Sequence, residues 1–125
     1  MRKPEGARVW LIGDAYLPAE INPELPGHES TCVLNTSEKP ANVVLTFYFE
    51  DRDPIRDVKV PVGPERTLHI RLDKPEMLGG MTLPRLVPFA IRVESDIPIV
   101  VQHSRLDVTQ PNLSVSTSIA YPLED

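Results

Sequence analysis

Cysteine is almost absent from this chain of 125 residues, which contains only Cys32. A single cysteine cannot form a disulfide within the chain, and this fits a reducing compartment. The longest apolar run, residues 43–49, is far shorter than the roughly 20 residues that a membrane-spanning helix needs. The chain also lacks an apolar run near its start, so we expect no secretory signal. Together these absences predict a cytoplasmic protein without membrane insertion.

Positive charge is in deficit, since 13 Lys and Arg face 18 Asp and Glu, for a net charge of −5. This balance argues against a general nucleic-acid binder, although a local basic stripe stays open. Recognisable catalytic motifs are missing too: there is no nucleophile elbow, Gly-rich phosphate loop, Cys-x-x-Cys pair or dinucleotide fingerprint. The three histidines do not follow a metal-binding spacing. We therefore predict no enzyme, no cofactor and no metal site.

Proline and alternating apolar residues are abundant instead. The 14 prolines divide the chain into short segments, and several segments alternate apolar and polar residues with the period of a strand. We predict an all-β fold, a two-sheet antiparallel β-sandwich of jelly-roll-like type, as a single domain over residues 1–125. About eight strands are expected, over residues 7–12, 29–36, 41–51, 55–62, 66–72, 89–94, 97–108 and 114–121.

The connections between these strands are predicted from turn residues. Ser95-Asp96-Ile97-Pro98 is expected to be a turn between two strands. Two longer connections span residues 14–27 and 74–88, and the second is expected to contain a helical turn near Glu76–Leu78. Long connections in compact domains often carry binding residues. Residues 122–125 are expected to form a frayed end.

The strand predicted over residues 97–108 changes character along one face. Ile97, Ile99 and Val101 share this face with His103, Arg105 and Asp107, so it passes from apolar to ionisable. Residues two apart on a strand lie about 7 Å from one another, within reach of one small ligand. The planar guanidinium of Arg105 suits an anionic ligand. The same pattern also fits a rim of structural ion pairs, and the sequence leaves both interpretations open.

Two further groups of residues are candidates for the same binding site. His28 and Glu29 lie where a long loop enters a strand, and they either bind a polyol or an anion or simply fix the loop. Trp10 and Tyr16 flank the start of that loop and offer flat faces for stacking on a sugar, although a single tryptophan is often a core residue. On another strand, the outward-facing His69 and Arg71 are the candidates for nucleic-acid contact.

Five stretches of the chain resemble the Anabaena sensory rhodopsin transducer family. They are WLIGDAYLP, HESTCVLN, VPVGPERTLHIRLD, PIVVQHSRLD and STSIAY, at residues 10–18, 28–35, 60–73, 98–107 and 116–121. The resemblance extends over almost the whole chain, and it implies a small β-sandwich that assembles as a homotetramer. It also implies a set of matching polar residues: Trp10, Tyr16, His28, Glu29, His69, Arg71, Gln102, His103, Arg105 and Asp107.

The resemblance implies three kinds of function. In the member that gives the family its name, the protein couples to a membrane photoreceptor; sugar-like small molecules have been proposed as ligands in the wider family, and DNA binding has been suggested. Our first hypothesis is a non-enzymatic module that binds a small sugar-like or anionic molecule through Gln102 and the other candidates named above. The alternatives are an adaptor between a membrane receptor and a regulator protein, and a DNA-associated regulator.

Overall fold

A computed structural model of the chain describes residues 4–20, 24, 26–108 and 113–123. These residues form eight antiparallel β-strands and one short 3-10 helix, Pro75–Met77. The strands are β1 (Ala7–Tyr16), β2 (His28–Asn35), β3 (Ala41–Phe49), β4 (Ile55–Val62), β5 (Arg66–Arg71), β6 (Pro88–Asp107), β7 (Ser114–Ile119) and β8 (Tyr121–Leu123). The predicted all-β sandwich is confirmed.

Two layers share one strand. The first layer has the order β4-β3-β6-β1-β8, and the second has the order β5-β2-β6-β7. Strand β6 is 20 residues long and belongs to both layers. Its first part pairs with β1 and β3, and its second part pairs with β2 and β7. The two layers are therefore joined through β6. The residues near the middle of β6 lie where one layer ends and the other begins.

Alternation along the strands builds the core between the layers. On β3, Val43, Leu45 and Phe47 are buried, as the sequence predicts, while Phe49 is half-buried. The rings of Phe47 and Phe89 meet edge to face with their centroids 6.0 Å apart, a favoured aromatic geometry. Burial of this apolar surface is the main force that holds the two layers together.

The turn predicted over residues 95–98 is wrong, because β6 runs straight through it. Pairing with β3 ends at Ser95, and pairing with β2 begins at Val100. Pro98 lies between these two ladders, where the pairing does not require its missing backbone N–H. Proline therefore marks the point at which β6 changes layers, and not the end of a strand.

Two other expectations need adjustment, and a third is confirmed. Strand β1 was predicted over residues 7–12, but it continues to Tyr16 and has a register shift between Ile12 and Ala15. Residues 121–123 form β8 against β1, so the frayed end predicted from residue 122 is wrong as far as Leu123. The helical turn predicted near Glu76 is present as the 3-10 helix. Residues 21–23 and 25 of the first long connection lie outside the described part of the chain.

Candidate functional site

Two rows of polar side chains cross the inner face of the second layer. Strand pairing sets Thr31 opposite His103, and His103 opposite Ser118. The next row sets Glu29 opposite Arg105, and Arg105 opposite Ser116. Residues directly opposite in an antiparallel sheet point to the same face, so these six side chains form one polar surface. It adjoins the buried Val33–Val101 pair of the core.

The carboxylate of Glu29 is the centre of this surface. The side chain is 0% exposed, yet both of its oxygens have partners. Oε1 lies 2.7 Å from Nε2 of His103, and Oε2 accepts a hydrogen bond of 2.7 Å from Nε of Arg105. Oε2 also accepts the backbone N–H of Tyr16 at 3.0 Å. A buried carboxylate needs such compensation, and Glu29 thereby ties the end of β1 to β2 and β6.

Hydrogen bonding assigns the protons of the His103 ring. Nε2 faces the Glu29 carboxylate, so it carries a hydrogen and donates it. Nδ1 lies 3.4 Å from Oγ1 of Thr31 and accepts from that hydroxyl when the ring is neutral. A hydroxyl, an imidazole and a carboxylate in this order resemble a catalytic relay. Thr31, however, is 0% exposed and is not a lining residue of the cavity described below, so its hydroxyl is not accessible to a substrate there.

Arg105 differs from His103 because it reaches solvent. Its side chain is 41% exposed, and only its Nε donates to Glu29. Nη2 lies 4.0 Å from Oδ1 of Asp14, close enough for charge attraction but too far for a hydrogen bond. A guanidinium has five N–H donors, so the terminal N–H groups of Arg105 remain in position for a further partner.

A cavity of about 530 Å³ lies beside Arg105, between the end of β1 and the segment β7–β8. This volume falls within the range of typical small-molecule sites. Its walls combine a cation, a carboxylate, hydroxyls, an aromatic ring and aliphatic groups. They are formed by Leu11, Ile12, Gly13, Asp14, His103, Arg105, Ser116, Thr117, Ser118, Ile119, Ala120 and Tyr121.

The structure brings some of the predicted site residues together. His103 and Arg105 line the cavity, and Glu29 holds them both from behind. Tyr16 contributes its backbone N–H to Glu29, and its ring is partly exposed and does not line the cavity. The arrangement is therefore a guanidinium and an imidazole, each positioned by the same buried carboxylate.

Other predicted residues lie elsewhere. Trp10 is buried in the core, where Nε1 donates to the carbonyls of Ala7 and Ile99 at 3.0 Å each. Gln102 is exposed on the outer face of the second layer. On that same face, Nδ1 of His28 lies 3.2 Å from the Pro26 carbonyl oxygen. Asp107 is half-buried opposite Ser114 at the end of β6. None of these four predicted ligands is a lining residue of the described cavity.

The predicted nucleic-acid residues occupy the outer face of β5. His69 is exposed, and Arg71 forms a two-pronged ion pair with Asp73 at 2.8 and 2.7 Å. Burial acts to raise the pKa of Asp73, but the hydrogen bonds and the charge of Arg71 outweigh it and hold that pKa below the usual value. The two N–H donors best placed for a phosphate are therefore already in use, and DNA contact stays a prediction.

Five residues of the site were absent from the predicted set. Thr31 lies two residues after Glu29, and Ser118 lies two residues after Ser116, so each pair points to one face of its strand. Alternation along the strands therefore offered a signal for Thr31, Ser116 and Ser118. Asp14 and Tyr121 could not be found in this way. The register shift in β1 reorients Asp14, and Tyr121 reaches the cavity only because β7–β8 follows the edge of both layers.

The described ranges contain neither a membrane-spanning helix nor a cluster of metal ligands. No helix there is long and apolar enough to cross a membrane. Within those same ranges, no three His, Cys, Asp or Glu side chains are grouped so that they could hold a metal ion.

Comparison with known proteins identifies relatives over nearly the full length of the chain. The family model described as Anabaena sensory rhodopsin transducer matches residues 5–122. The crystal structure of Thermotoga maritima 1070 is 39% identical, with a TM-score of 0.84, covering 95% of this chain and 97% of that chain. The Anabaena sensory rhodopsin transducer is 32% identical, with a TM-score of 0.74, covering 84% and 92%. No curated protein matches significantly. The chain belongs to the Anabaena sensory rhodopsin transducer family.

Proposed function

We propose that this protein is a non-enzymatic, ligand-binding module of a signalling pathway, and that the cavity beside Arg105 binds a small polyhydroxylated molecule such as a sugar. One observation carries the proposal: a buried carboxylate, Glu29, orients the guanidinium of Arg105 at the wall of a cavity of about 530 Å³. An arginine side chain that is already held in this way loses little conformational freedom when a ligand binds.

The composition of the walls favours a neutral ligand over a strongly anionic one. The carboxylates of Glu29 and Asp14 flank Arg105, so the site does not have the excess positive charge that a dianion needs. A hydroxyl group both donates and accepts, and it therefore satisfies Asp14 and Arg105 together. Ser116 and Ser118 add hydroxyls, and Tyr121 offers a flat face for the C–H groups of a sugar ring. In the proposal, Tyr121 takes the stacking role that the sequence suggested for Trp10.

A thermal-shift screen tests the proposal. Neutral sugars, polyols and organic acids are added one at a time, because a ligand that binds only the native state raises its melting temperature. We expect a neutral sugar or polyol to give the largest shift with the wild-type protein. Arg105→Ala should abolish this shift, whereas Arg71→Ala, which removes a guanidinium from the outer face, should retain it.

A second variant blocks the cavity without removing a charge. Gly13 lines the cavity, and a Cβ atom at this position would meet no other atom within 4 Å. Gly13→Leu should therefore fold normally and occupy space in the cavity, so the shift should be lost. A shift that persists in both Arg105→Ala and Gly13→Leu would place the ligand elsewhere and overturn the proposal.

A protein-interaction adaptor is the second candidate function. The observation that favours it is the 32% identity to a protein named as a sensory rhodopsin transducer. In this case the chain would act as a homotetramer in the cytoplasm and bind a membrane receptor or a regulator protein. Capture of such a receptor by the immobilised protein, together with no thermal shift from any compound in the screen, would favour the adaptor over the ligand-binding module.

A further inference from the structure

A bulge near the end of β1 places the carboxylate of Asp14 on the wall of the cavity. The pairing of β1 with β6 shifts between Ile12 and Ala15, where the two residues Gly13 and Asp14 face a single residue of β6. Bulges of this kind re-aim side chains and are frequent beside functional sites. Asp14 lines the cavity although its side chain is 86% exposed, so it lies at the side of the cavity that is open to water.

The positions of Asp14 and Arg105 relative to one another depend on a shared anchor. Oε2 of Glu29 accepts a hydrogen bond from Nε of Arg105 at 2.7 Å. The same oxygen accepts the backbone N–H of Tyr16, two residues after Asp14, at 3.0 Å. Because Glu29 is 0% exposed, both sides of the gap between Asp14 and Arg105 are tied to one buried group. The 4.0 Å between Oδ1 of Asp14 and Nη2 of Arg105 is therefore set before a ligand binds.

A gap of 4.0 Å is the right width for one hydroxyl group. A hydroxyl oxygen that lies about 2.8 Å from each of the two atoms makes two hydrogen bonds at an angle of about 90° to one another. It accepts from Nη2 of Arg105 and donates its own hydrogen to Oδ1 of Asp14. A carboxylate in the same place also accepts from Arg105, but it has no hydrogen for Asp14 and sets two negative charges beside one another.

We propose that Asp14 determines the ligand specificity of the cavity: together with Arg105 it selects a hydroxyl group of a sugar and excludes the acid in which a carboxylate replaces that group. This inference rests on the proposed function, and it adds which chemical group is recognised and which residue decides. A site that hydrogen-bonds a hydroxyl discriminates against an analogue that cannot make the same bonds. Asp14 and Arg105 both reach solvent, so we expect a factor of about ten and not the larger factors of buried sites.

Asp14→Asn tests the selection because it replaces one carboxylate oxygen by a donor amide. The gap then presents N–H groups from both sides and lacks the negative charge, so it suits a carboxylate. Asp53→Asn is the matched control, since it makes the same change at an exposed residue of the β3–β4 loop that does not line the cavity. The melting temperature of each variant shows whether it is folded.

Isothermal titration calorimetry gives the affinities. The probes are each neutral sugar that raises the melting temperature in the screen, and the two acids obtained by oxidising that sugar at either end. We expect the wild type and Asp53→Asn to bind the neutral sugar at least about tenfold more tightly than either acid. In Asp14→Asn, one of the acids should gain at least about tenfold in affinity and bind more tightly than the neutral sugar. Added salt should weaken the binding of this acid and leave that of the neutral sugar unchanged.

Asp14→Glu tests the width of the gap while the charge is kept. The side chain of glutamate is one methylene longer, so its carboxylate can contact Nη2 of Arg105 directly and take the place of the hydroxyl. We expect the neutral sugar to bind at least about tenfold more weakly, with no gain in affinity for either acid.

The outcomes separate this inference from the proposed function. A wild type that binds no neutral sugar overturns the proposed function and the role of Asp14 with it. If the wild type binds a neutral sugar, but Asp14→Asn keeps the wild-type ratio of affinities or Asp53→Asn changes it equally, only the role of Asp14 is overturned. Unweakened binding of the neutral sugar to Asp14→Glu would overturn that role as well, because a filled gap could not then be the site of the hydroxyl.

Discussion

The second layer pairs an arginine with a carboxylate on each of its two faces, and the two pairs differ in how much of the guanidinium they use. On the outer face, Asp73 accepts from both Nε and Nη2 of Arg71. On the inner face, Glu29 accepts only from Nε of Arg105, since its other oxygen faces His103.

This difference teaches that the geometry of an ion pair decides whether its arginine can act further. A two-pronged pair satisfies the side of the guanidinium that best fits an anion, so Arg71 serves mainly to hold the end of β5. A single bond to a buried carboxylate fixes the direction of Arg105 and leaves its terminal donors beside the cavity. The same two residue types thus give a structural pair on one face and a candidate binding group on the other.

The largest expected effect comes from removing the carboxylate of the inner pair, and removing that of the outer pair is its control. Glu29→Ala leaves His103, Arg105 and the Tyr16 N–H without their common acceptor inside the protein, and we expect a loss of about 3–5 kcal/mol in the free energy of unfolding. Asp73→Ala breaks a pair whose arginine is partly exposed, so its cost should be about 1 kcal/mol. Chemical denaturation of both variants measures this difference, and equal losses would show that the inner pair has no special role.

A smaller effect should come from the hydroxyl that supports the inner pair. Thr31→Val keeps the shape of the side chain but removes the donor to Nδ1 of His103, at a cost of about 1–3 kcal/mol for an unsatisfied buried group. Thr67→Val makes the same change at an exposed position of β5 and should alter stability by about 0.5 kcal/mol or less. If the two variants unfold at the same denaturant concentration, the Thr31–His103 contact does not support the site.

The smallest effect concerns pH and the outer pair. The pKa of Asp73 in the folded protein lies below its usual value of 3.8, so the pair stabilises the fold above that pH. This stabilisation is lost as the pH falls through 3.8 toward the lower pKa of the folded state. The difference in unfolding free energy between the wild type and Asp73→Asn should therefore be present at neutral pH and shrink in acid. A difference that grows in acid would contradict the assigned direction.

Local patterns in the sequence were sufficient to predict most of the fold. Alternation in β3 and β4 identified both strands, and the bounds of β4 agree at both ends with those predicted, residues 55–62. The same signal failed at Pro98, because a proline that ends a strand and a proline at a crossing between two layers look alike along the chain. Only the pairing of β6 with different neighbours before and after Pro98 distinguishes them.

The candidate site was harder to predict, because it depends on contacts across strands. The parity of β6 correctly placed His103 and Arg105 beyond Val101 on one face, but it could not show that Glu29 lies opposite Arg105. The position of Gln102 on the opposite face follows from the same parity, and the family resemblance included it without regard to facing. A resemblance thus names residues, whereas strand register decides which of them share a surface.

The most direct test of the proposed site is an NMR measurement on the Nε–Hε groups of the arginines. The signals of Arg105 and Arg71 are assigned from the variants Arg105→Lys and Arg71→Lys, and the neutral sugars of the screen are then added one at a time. We predict that at least one sugar shifts the Arg105 signal and the backbone amides of Ser116 and Ser118, while the Arg71 signal stays in place. If no sugar moves the Arg105 signal, or if both arginine signals move equally, the cavity beside Arg105 is not the binding site.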